Sequence, residues 1–474
     1  MRSIDTIYID GKFVTPHGSE LFDIFNPTTA QVIGTVRLGD EIDARAAIAA
    51  AKRAFVTFSR SSKAARIVML HRLSEAVAAR HEDLLDAIVE EYGAPASRAD
   101  FMAKDPASRF RDAADALEGY AFIRQAGTAE VSMEPLGVAG LITPWNNDAG
   151  FICGKLAAAI AAGCTAVIKP SEMSALQTQI LTEALDAAGL PNGIFNVVTG
   201  RGETVGAEIV AHRDVAKISF TGSTTVGKSI LLAGAETMKR ITLELGGKSP
   251  TIILDDANLA DAVPLAINAG FMNSGQACIA GTRILVPESR IEEFETLAKA
   301  AVDRAQTGDP RDPASEIGPM VSKRQWDRVQ GYIRLGLDEG AKLLAGGEGR
   351  PDGLNGWFVK PTLFTGVNND MRIAREEIFG PVLVIIPYSN DEDAITIAND
   401  TDYGLQAYIL STDPKRARGV ASRIDAGRVL INTLSHEPKA PFGGFKQSGI
   451  GREYGAFGLD AFLEPKSFLG ICAD

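Results

Sequence analysis

The sequence predicts an α/β protein built around a doubly wound parallel sheet, followed by a second α/β domain. From Gly137 onward, short runs rich in β-branched residues alternate with longer alanine-rich stretches, a pattern typical of βαβ units around a parallel sheet. A similar series begins again near Ser249. The length of 474 residues is enough for about three domains. A hydrophobic content of 45% is typical of chains with large buried cores.

The first series predicts five strands, which lie at Gly137–Ile142, Ala166–Lys169, Ile194–Val198, Ala216–Phe220 and Ile241–Leu245. Between the second and third strands, a helix is predicted over Glu172–Ala188, with Ser171 as its N-cap and Gly189 as its stop. A sheet of this kind is expected to bind a dinucleotide.

The second series predicts a strand, a helix, a strand and a helix at Thr251–Leu254, Ala257–Phe271, Arg283–Val286 and Arg290–Gln306. Ahead of the first sheet, Ile42–Phe58 and Ala64–Tyr92 have helical periodicity and no obvious chemistry, so we assign them to the scaffold. The glycine- and proline-rich stretch Gly346–Gly356 is predicted to be a surface loop.

Composition excludes several classes of protein. The formal net charge of −12 argues against nucleic acid as a partner. The N-terminus lacks the apolar core of a secretory signal. The longest apolar run, Leu156–Ile168, is far shorter than the roughly 20 residues of a membrane-spanning helix. The cysteines lack the spacing of a zinc or disulfide site, which predicts no metal and a reducing, cytoplasmic setting; they are Cys153, Cys164, Cys278 and Cys472.

Cys278 is a candidate nucleophile because it follows a turn of small residues that begins at Gly275. A buried cysteine is more often an inert core residue, and a free thiol is mostly protonated at neutral pH, so Cys278 needs an assisting group. Glu244, at the end of a predicted strand and before two glycines, is the best candidate. The alternative for Glu244 is a solvated carboxylate at a strand end.

Three further turns follow predicted strands. Asn146 could donate to a developing oxyanion, or it could cap the next helix. The turn Phe220–Gly227 could hold a pyrophosphate at a helix N-terminus, although many glycine-rich turns only begin a helix. Lys169 and Glu172 could bind ribose hydroxyls, or Lys169–Glu172 could be an ordinary capped helix start.

Taken together and in order, seven short motifs resemble the aldehyde dehydrogenase superfamily, of the hydrolytic, NAD(P)-dependent type. The resemblance spans nearly the whole chain, and each motif is modest alone. They are Pro144-Trp145-Asn146, Lys169–Glu172, Phe220–Ser223, Glu244–Lys248, Gly275–Cys278, Glu377–Pro381 and Pro441–Gly444.

The resemblance implies a covalent mechanism that oxidises an aldehyde to a carboxylic acid. Cys278 would attack the aldehyde, Asn146 and the Cys278 backbone N–H would stabilise the oxyanion, and Glu244 would activate the water that hydrolyses the thioester. Lys169 is counted with these catalytic residues as well as with the cofactor site.

The same resemblance implies NAD as cofactor. Glu377 would hold the nicotinamide ribose, Phe379 would pack beside the ring, and Ser223 would bind the pyrophosphate. A carboxylate at Glu172 would accept a hydrogen bond from the 2′-hydroxyl of NAD and repel the 2′-phosphate of NADP. The positive charge of Lys169 would weaken this repulsion, so some use of NADP stays open. The full expected cofactor set is Thr143, Pro144, Trp145, Lys169, Ser171, Glu172, Gly202, Phe220, Thr221, Gly222, Ser223, Val226, Leu245, Gly246, Glu377 and Phe379.

Two departures from the family bear on substrate and assembly. Asn147 and Asp148 replace an aromatic and a proline, and His436 lies in a loop that often carries an aromatic, so we expect a polar substrate channel and small polar or charged aldehydes. The segment Gln125–Met133 is shorter than the usual subunit-contact hairpin, while Phe462–Phe468 could supply a strand to a partner, so we expect a homodimer or homotetramer.

The resemblance also implies a division of the chain into three parts. The Rossmann-like NAD-binding domain would comprise residues 1–116 and 135–245, the catalytic domain 246–452, and a small β oligomerisation element 117–134 with 453–474. Two other functions stay open: a CoA-acylating semialdehyde dehydrogenase, against which Glu244 argues, and a catalytically silent structural relative.

Overall fold

The computed structural model describes residues 2–470, which form 21 strands and 15 α-helices. The strands β1 to β21 are, in chain order, Arg2–Ile4, Ile7–Ile9, Lys12–Val14, Leu21–Asn26, Gln31–Arg37, Ile123–Ala126, Ala129–Pro135, Val138–Ile142, Thr165–Lys169, Phe195–Val197, Val215–Thr221, Arg240–Glu244, Pro250–Ile253, Arg283–Pro287, Lys342–Ala345, Thr362–Thr365, Val382–Tyr388, Gln406–Leu410, Arg428–Ile431, Gly449–Ile450 and Leu463–Phe468.

The α-helices surround these strands and begin mostly after Ser, Asp or Asn caps. Helices α1 to α15 are, in chain order, Glu41–Phe58, Lys63–Ala78, His81–Ala87, Ala96–Glu118, Asp148–Ala162, Ala175–Ala187, Ala207–Ala211, Thr224–Ala235, Leu259–Phe271, Ile291–Arg304, Lys323–Asp338, Arg372–Arg375, Asp391–Asn399, Pro414–Ala421 and Gly455–Asp460.

The first sheet has eight strands in the order β20-β12-β11-β8-β9-β10-β2-β3. The five strands predicted for it, β8 to β12, are all present within one residue of their predicted ends, and they pair in parallel. Helices α1 and α7 pack on the face that buries Val167 and Ile218, while α2, α4, α5 and α6 cover the opposite face. The predicted doubly wound sheet is confirmed.

Two helices in the first part of the chain differ from their predicted form. The helix predicted from Glu172 begins as a 3₁₀ turn over Glu172–Ser174, with Ser171 accepting a hydrogen bond from the Met173 N–H, before α6 starts. The stretch Ala64–Tyr92 is not continuous, because it breaks at Ala79 into α2 and α3 and ends in a π-helical turn.

The second sheet has seven strands in the order β15-β16-β17-β14-β13-β18-β19, and six of these are parallel. It includes both strands predicted after Ser249, with α9 and α10 packed beside them. Gly346–Gly356 contains no helix or strand, as expected for a loop.

After the last strand of the second sheet, the chain returns to the first sheet and adds one short strand to its edge. Strand β20, Gly449–Ile450, pairs antiparallel with β12 at Leu243 and Glu244. These residues lie in the range predicted for the catalytic domain, yet they complete the edge of the first sheet, a contact that the sequence pattern did not predict.

Two small sheets lie at the periphery. Strands β6 and β7 form a hairpin closed at Gly127 and Thr128, and β21 pairs with β7 in the same chain over six residue pairs. The short segment Gln125–Met133 is therefore part of a hairpin. Strands β1, β5 and β4 form an N-terminal sheet that was not predicted.

Residues 2–470 contain no helix long and apolar enough to cross a membrane. The same part of the chain has no group of three or more histidine, cysteine or acidic residues placed to hold a metal ion. Cys472 lies outside the described residues, and the three other cysteines are free thiols.

Candidate active site

Cys278 follows a backbone turn in which three consecutive residues are left-handed. The φ angles are 55° at Asn273, 58° at Ser274 and 73° at Gly275. An asparagine tolerates this region, a serine does so less readily, and glycine does so freely. The Asn273 side chain secures the turn by donating to the carbonyl oxygens of Asn146 and Gln276.

Gln276 fixes the loop further because its buried amide spans two neighbouring segments. Its Oε1 accepts a hydrogen bond from the Val321 N–H at 3.0 Å, and its Nε2 donates to the Pro319 carbonyl at 3.3 Å. The sulfur of Cys278 faces a cavity, and the backbone N–H groups of Cys278 and Ile279 point at it. A nucleophile in this position is held in one orientation before any substrate arrives.

The environment of Cys278 favours the thiol over the thiolate. Burial raises the pKa of Cys278 to about 12, and the carboxyl groups of Glu377 and Glu244 add to the rise, while the two backbone N–H groups oppose it. The thiol therefore needs a base to take its proton, as the sequence indicated.

Glu244 is the last residue of β12, and only 2% of its surface is exposed. Neither carboxyl oxygen has a hydrogen-bond partner among residues 2–470. Burial raises the pKa of Glu244 well above its usual value, and the nearby Glu453 carboxylate raises it further, while Lys155 and Arg452 oppose the rise. A buried carboxyl group without partners is costly unless function retains it, and a raised pKa makes it a better base.

Asn146 lies in the turn that follows β8, after Pro144 and Trp145, and is 7% exposed. Its Nδ2 donates one hydrogen bond to the Gln276 carbonyl oxygen at 3.0 Å, which holds the amide beside the Cys278 loop. An amide nitrogen has two hydrogens, so the second N–H is available to another acceptor.

A cavity of about 500 Å³ extends from Cys278 along the carboxyl ends of the first sheet. Its volume is in the range of sites that bury a cofactor, and its position matches the rule for ligands of open α/β sheets. The expected cofactor residues that line it are Pro144, Trp145, Thr221, Gly222, Ser223, Leu245, Gly246, Glu377 and Phe379, together with Asn146 and Cys278.

One end of the cavity lies at the N-terminus of α8, a helix of 12 residues. Ser223 caps this helix by accepting a hydrogen bond from the Val226 N–H. The buried hydroxyl of Thr221, on the same wall, has no partner within residues 2–470. Free backbone N–H groups and the helix dipole at this end are suited to a pyrophosphate.

Glu377 and Phe379 form the wall nearest Cys278. The Glu377 carboxylate accepts a hydrogen bond from the Gly247 N–H at 3.1 Å, and burial raises the pKa of Glu377 to about 7. Phe379 has a left-handed φ of 64° and contacts the edge of Trp145. This wall combines a carboxylate for hydroxyl groups with an aromatic surface for a ring.

Helix α11 holds this wall in place, a role that no sequence motif indicates. Gln325 donates from Nε2 to the Phe379 carbonyl oxygen at 2.7 Å, and Arg328 donates to the carbonyl oxygens of Glu377 and Ile378. Motifs could not have identified this helix, since it reaches the site only through packing. The cavity residues missed by sequence analysis are Arg324, Gln325, Arg328 and Tyr403, whereas Thr224 and Thr225 belong to the turn Phe220–Gly227 that it did name.

The structure groups Lys169 with Glu172, apart from the residues that line the Cys278 cavity. The Lys169 Nζ is buried, donates to the Pro170 carbonyl oxygen and lies 3.5 Å from the Glu172 carboxylate. Glu172 also pairs with Arg201 at 3.3 Å. The catalytic role expected of Lys169 stays a prediction. A ribose contact for Lys169 and Glu172 stays a prediction.

Five other expected cofactor residues do not line the cavity. Ser171 caps the 3₁₀ turn, Gly202 begins a π-helical turn, and Val226 is exposed on the first turn of α8. Thr143 donates to the Asp148 carboxylate, and Phe220 is buried beneath Gly222. Any cofactor contact of these five stays a prediction.

Asp148 does not form part of a substrate channel, which corrects the sequence prediction. It is fully buried at the start of α5, and its two carboxyl oxygens accept hydrogen bonds from Thr143 and Thr178. Asn147 instead donates from Nδ2 to Asp105 at 3.2 Å, and His436 lies 3.5 Å from Arg109 and packs against Tyr454.

Comparison with known proteins identifies the family. The sequence model described as the aldehyde dehydrogenase family matches residues 13–468. The chain belongs to the aldehyde dehydrogenase family. It is similar to a 3-succinoylsemialdehyde-pyridine dehydrogenase of a Pseudomonas species, with 46% identity and 99% of each chain covered.

Solved structures of aldehyde dehydrogenases share the fold throughout. Mutant aldehyde dehydrogenase C of Pseudomonas syringae, in complex with NAD⁺ and octanal, is 44% identical with a TM-score of 0.97, and 99% of this chain and 98% of that one are covered. Betaine aldehyde dehydrogenase of Staphylococcus aureus, in complex with NAD⁺, is 35% identical with a TM-score of 0.95, covering 98% and 94% of the two chains.

Proposed function

We propose that this aldehyde dehydrogenase oxidises an aldehyde to a carboxylic acid with NAD, through a thioester on Cys278 that water hydrolyses. The main support is that one cavity of about 500 Å³ has Cys278 and Asn146 at one end and the N-terminus of α8 at the other. Glu244 lies close enough to Cys278 to influence its pKa. A nucleophile, an oxyanion donor, a base and a cofactor-sized space therefore adjoin.

In the first step, the Cys278 sulfur bonds to the carbonyl carbon while the thiol proton passes to solvent water in the cavity. The carbonyl oxygen becomes an oxyanion, to which the free N–H of Asn146 and the backbone N–H of Cys278 donate hydrogen bonds. These donors are fixed before the reaction, and removing one donor of this kind typically costs a factor of about 10² to 10³ in kcat.

The cavity walls would hold the cofactor by contacts that match its parts. Ser223 and the α8 N-terminus would bind the pyrophosphate, Glu377 the nicotinamide ribose, and Phe379 with Trp145 the ring. A cofactor held by these residues would supply the acceptor for the hydride that the former aldehyde carbon loses as the thioester forms. Glu172 favours NAD over NADP because its carboxylate would repel a 2′-phosphate.

In the last step, Glu244 takes a proton from the water that attacks the thioester carbonyl. The C–S bond then breaks, Glu244 passes the proton it took from water to the sulfur, and a carboxylic acid is released. The raised pKa of Glu244 and the absence of any competing hydrogen bond to it among residues 2–470 suit this role.

Rapid mixing of the enzyme with NAD and an aldehyde tests whether Cys278 forms the thioester and Glu244 promotes its hydrolysis. Glu244→Gln should keep a burst of about one NADH per site and slow the subsequent turnover by about 10² to 10⁴-fold, because only hydrolysis loses its base. Cys278→Ala should show neither burst nor turnover, and the buried Cys153→Ala serves as the matched thiol control. A Glu244→Gln enzyme without a burst, but with normal breakdown of the acyl-enzyme, would refute the proposal.

The same assay distinguishes the proposed function from two others, a CoA-acylating enzyme and a catalytically silent relative. A CoA-acylating enzyme would need CoA for turnover, whereas the buried base Glu244 favours water as the acceptor. A silent relative would give no NADH with any aldehyde, and aldehyde would not protect Cys278 from thiol labelling.

For the substrate, we infer a preference for small polar or charged aldehydes, supported by the polar groups Asn147 and His436 on the side of Asp105 and Arg109. The test measures kcat/KM for a panel of aldehydes. The Pseudomonas syringae relative was solved with octanal, so this panel includes a series of alkyl aldehydes of increasing length. A kcat/KM that rises steadily with alkyl length would contradict this preference.

We further infer a homodimer or homotetramer located in the cytoplasm. Assembly is supported by the sheet of β6, β7 and β21, whose two outer edges have no strand partner within residues 2–470. The division into a cofactor domain, a catalytic domain and this oligomerisation sheet stays part of the proposal.

A further inference from the structure

Two arginine side chains, Arg109 on α4 and Arg428 at the start of β19, lie around a pair of aromatic rings near Cys278. The Arg109 guanidinium is 4.3 Å from the centre of the Tyr454 ring, and Arg428 is 5.4 Å from the centre of the Phe442 ring. The two rings are 5.4 Å apart. The arginines and rings therefore form one group, here called the arginine cluster.

The arginine cluster adjoins the reacting residues from the side away from the cofactor cavity. Arg428 is close enough to Cys278 for their charges to interact, and Tyr454 interacts in the same way with Glu244. Gly443, next to Phe442, is so near Glu244 that a methyl group on it would lie 2.7 Å from the carboxyl oxygen. None of the cluster residues lines the cavity that ends at Cys278.

Arg109 already has an anionic partner. Its guanidinium pairs with the buried Asp105 carboxylate at 2.9 Å, and the half-buried Asp112 also acts on it. The charge of Arg109 is therefore largely balanced inside the protein, and the residue is held rigidly against Tyr454.

Arg428 has no such partner, since its guanidinium makes no hydrogen bond or ion pair with any side chain or carbonyl in residues 2–470. Burial lowers the pKa of Arg428 below its usual value. The contrast is with Arg283, a fully buried arginine whose guanidinium donates to four oxygens, those of Lys248, Asn369, Ile397 and Ala398. A half-buried guanidinium without an acceptor is costly, and a ligand carboxylate can satisfy it through two parallel hydrogen bonds.

The lowered pKa of the neighbouring His436 indicates that the electrostatic potential beside the arginine cluster is positive. His436 lies 3.5 Å from Arg109, and its pKa is lowered to about 4 by burial and then by the positive charges of Arg109 and Arg428. The acidic Asp105 and Glu437 oppose this effect without cancelling it. The space beside the cluster thus favours an anion.

We propose that Arg428, supported by the rigid Arg109, binds a carboxylate at the far end of the substrate, so that the enzyme acts on ω-carboxylated aldehydes. The inference rests on the proposed oxidation at Cys278 and adds the class of substrate. The aldehyde carbon would face Cys278 while the distal carboxylate accepts two hydrogen bonds from the Arg428 guanidinium.

The test compares matched pairs of aldehydes on the intact enzyme with NAD: 4-oxobutanoate against butanal, and 5-oxopentanoate against pentanal. For the wild type, kcat/KM should be higher for the carboxylated member of at least one pair. In Arg428→Gln, the ratio of the carboxylated to the neutral substrate should fall by about 10- to 100-fold, which is the loss expected for a hydrogen-bonded charge pair. Arg428→Lys should restore part of the ratio.

The matched control is Arg423→Gln, because Arg423 is an exposed arginine of the same region that pairs with Glu392 on the surface. It should leave the ratio unchanged. A wild-type enzyme that oxidises the neutral members better, or an Arg428→Gln ratio equal to that of the wild type, would overturn the inference while leaving aldehyde oxidation intact. Absence of NADH with all four aldehydes and with the alkyl series would instead refute the proposed function.

Discussion

The carboxyl group of Glu244 is buried, lacks a partner in the described chain and has Glu453 nearby. These conditions stabilise its protonated form and raise its pKa. A base acts only when it has lost its proton. Hydrolysis of the thioester should therefore fail at a pH well above the usual glutamate value of about 4.3.

We predict that the rate of acyl-enzyme breakdown, measured in single turnovers against pH, rises through an acid limb set by the raised pKa of Glu244. As pH falls through this pKa, the base is protonated and the rate is lost. Glu244→Gln should remove the limb, while the exposed Glu392→Gln should retain it. A limb near pH 4.3 in the wild type, or one that persists in Glu244→Gln, would contradict the assignment.

Glu172 gives a second prediction, on cofactor choice. Its carboxylate is flanked by Lys169 and Arg201, so removing its charge leaves two cations suited to a 2′-phosphate. Glu172→Gln should raise the ratio of kcat/KM for NADP to that for NAD by about tenfold, the effect of roughly 1.4 kcal/mol. Glu208→Gln, a surface carboxylate paired with Arg45, is the control. A wild type that uses NADP as well as NAD would exclude this role.

Sequence motifs locate residues of the candidate site where those residues lie close to the end of a strand or to a turn. Cys278, Asn146 and Glu377 lie in short motifs after strands or turns, and the structure brings them to one cavity. No motif identifies Gln325, which lines the cavity, or Arg428, which lies near Cys278, because the packing of distant elements places them there. Asp148 was assigned to the channel because it and Asn147 replace an aromatic and a proline of the family, whereas Asp148 is buried in the first turn of α5.

At the scale of elements, the turn over Asn273–Gly275 links the nucleophile to the cofactor wall. Gly275 is left-handed, and a methyl group there would lie 2.2 Å from the backbone of Gly380, next to Phe379. The close approach is possible only because the residue has no side chain.

We predict that Gly275→Ala lowers the free energy of unfolding by at least about 1 kcal/mol, the cost of a left-handed alanine. It should also reduce kcat, because Cys278 and Phe379 shift together. Gly331→Ala, in the exposed middle of α11 with no atom near its added methyl group, should be neutral or stabilising. Thermal unfolding and NADH formation measure both effects; unchanged Tm and kcat in Gly275→Ala would disprove the link.

The elements that sequence analysis predicted well are the buried ones. Strands β8 and β9 are buried along their full length and consist mainly of apolar residues, so their pattern is strong. Strands β1 and β3 have three residues each and are mostly exposed, which leaves too short a pattern to detect. The break between α2 and α3 has no proline or glycine to mark it.

For the whole molecule, the peripheral sheet predicts assembly. Leu469 is 79% exposed just after β21, and Ile123 is 53% exposed on β6. Light scattering after size exclusion should give twice or four times the mass of one chain. Leu469→Asp should shift the distribution toward smaller species, and Val56→Asp, on the distant helix α1, should not. A monomeric wild type would rule out this interface.

Strand β20 has a consequence for how the enzyme can move. In the sequence, β20 follows the strands of the second sheet, yet it pairs with Leu243 and Glu244 at the end of β12 in the first sheet. Ser448 tightens this connection with two hydrogen bonds. Its hydroxyl donates to the Gly246 carbonyl oxygen, and its carbonyl oxygen accepts a hydrogen bond from the Leu245 N–H. A hinge that opened the cleft between the sheets would have to break these bonds first. We therefore expect cofactor and product to exchange by local movement of the cavity walls, while Glu244 and Cys278 keep their relative positions.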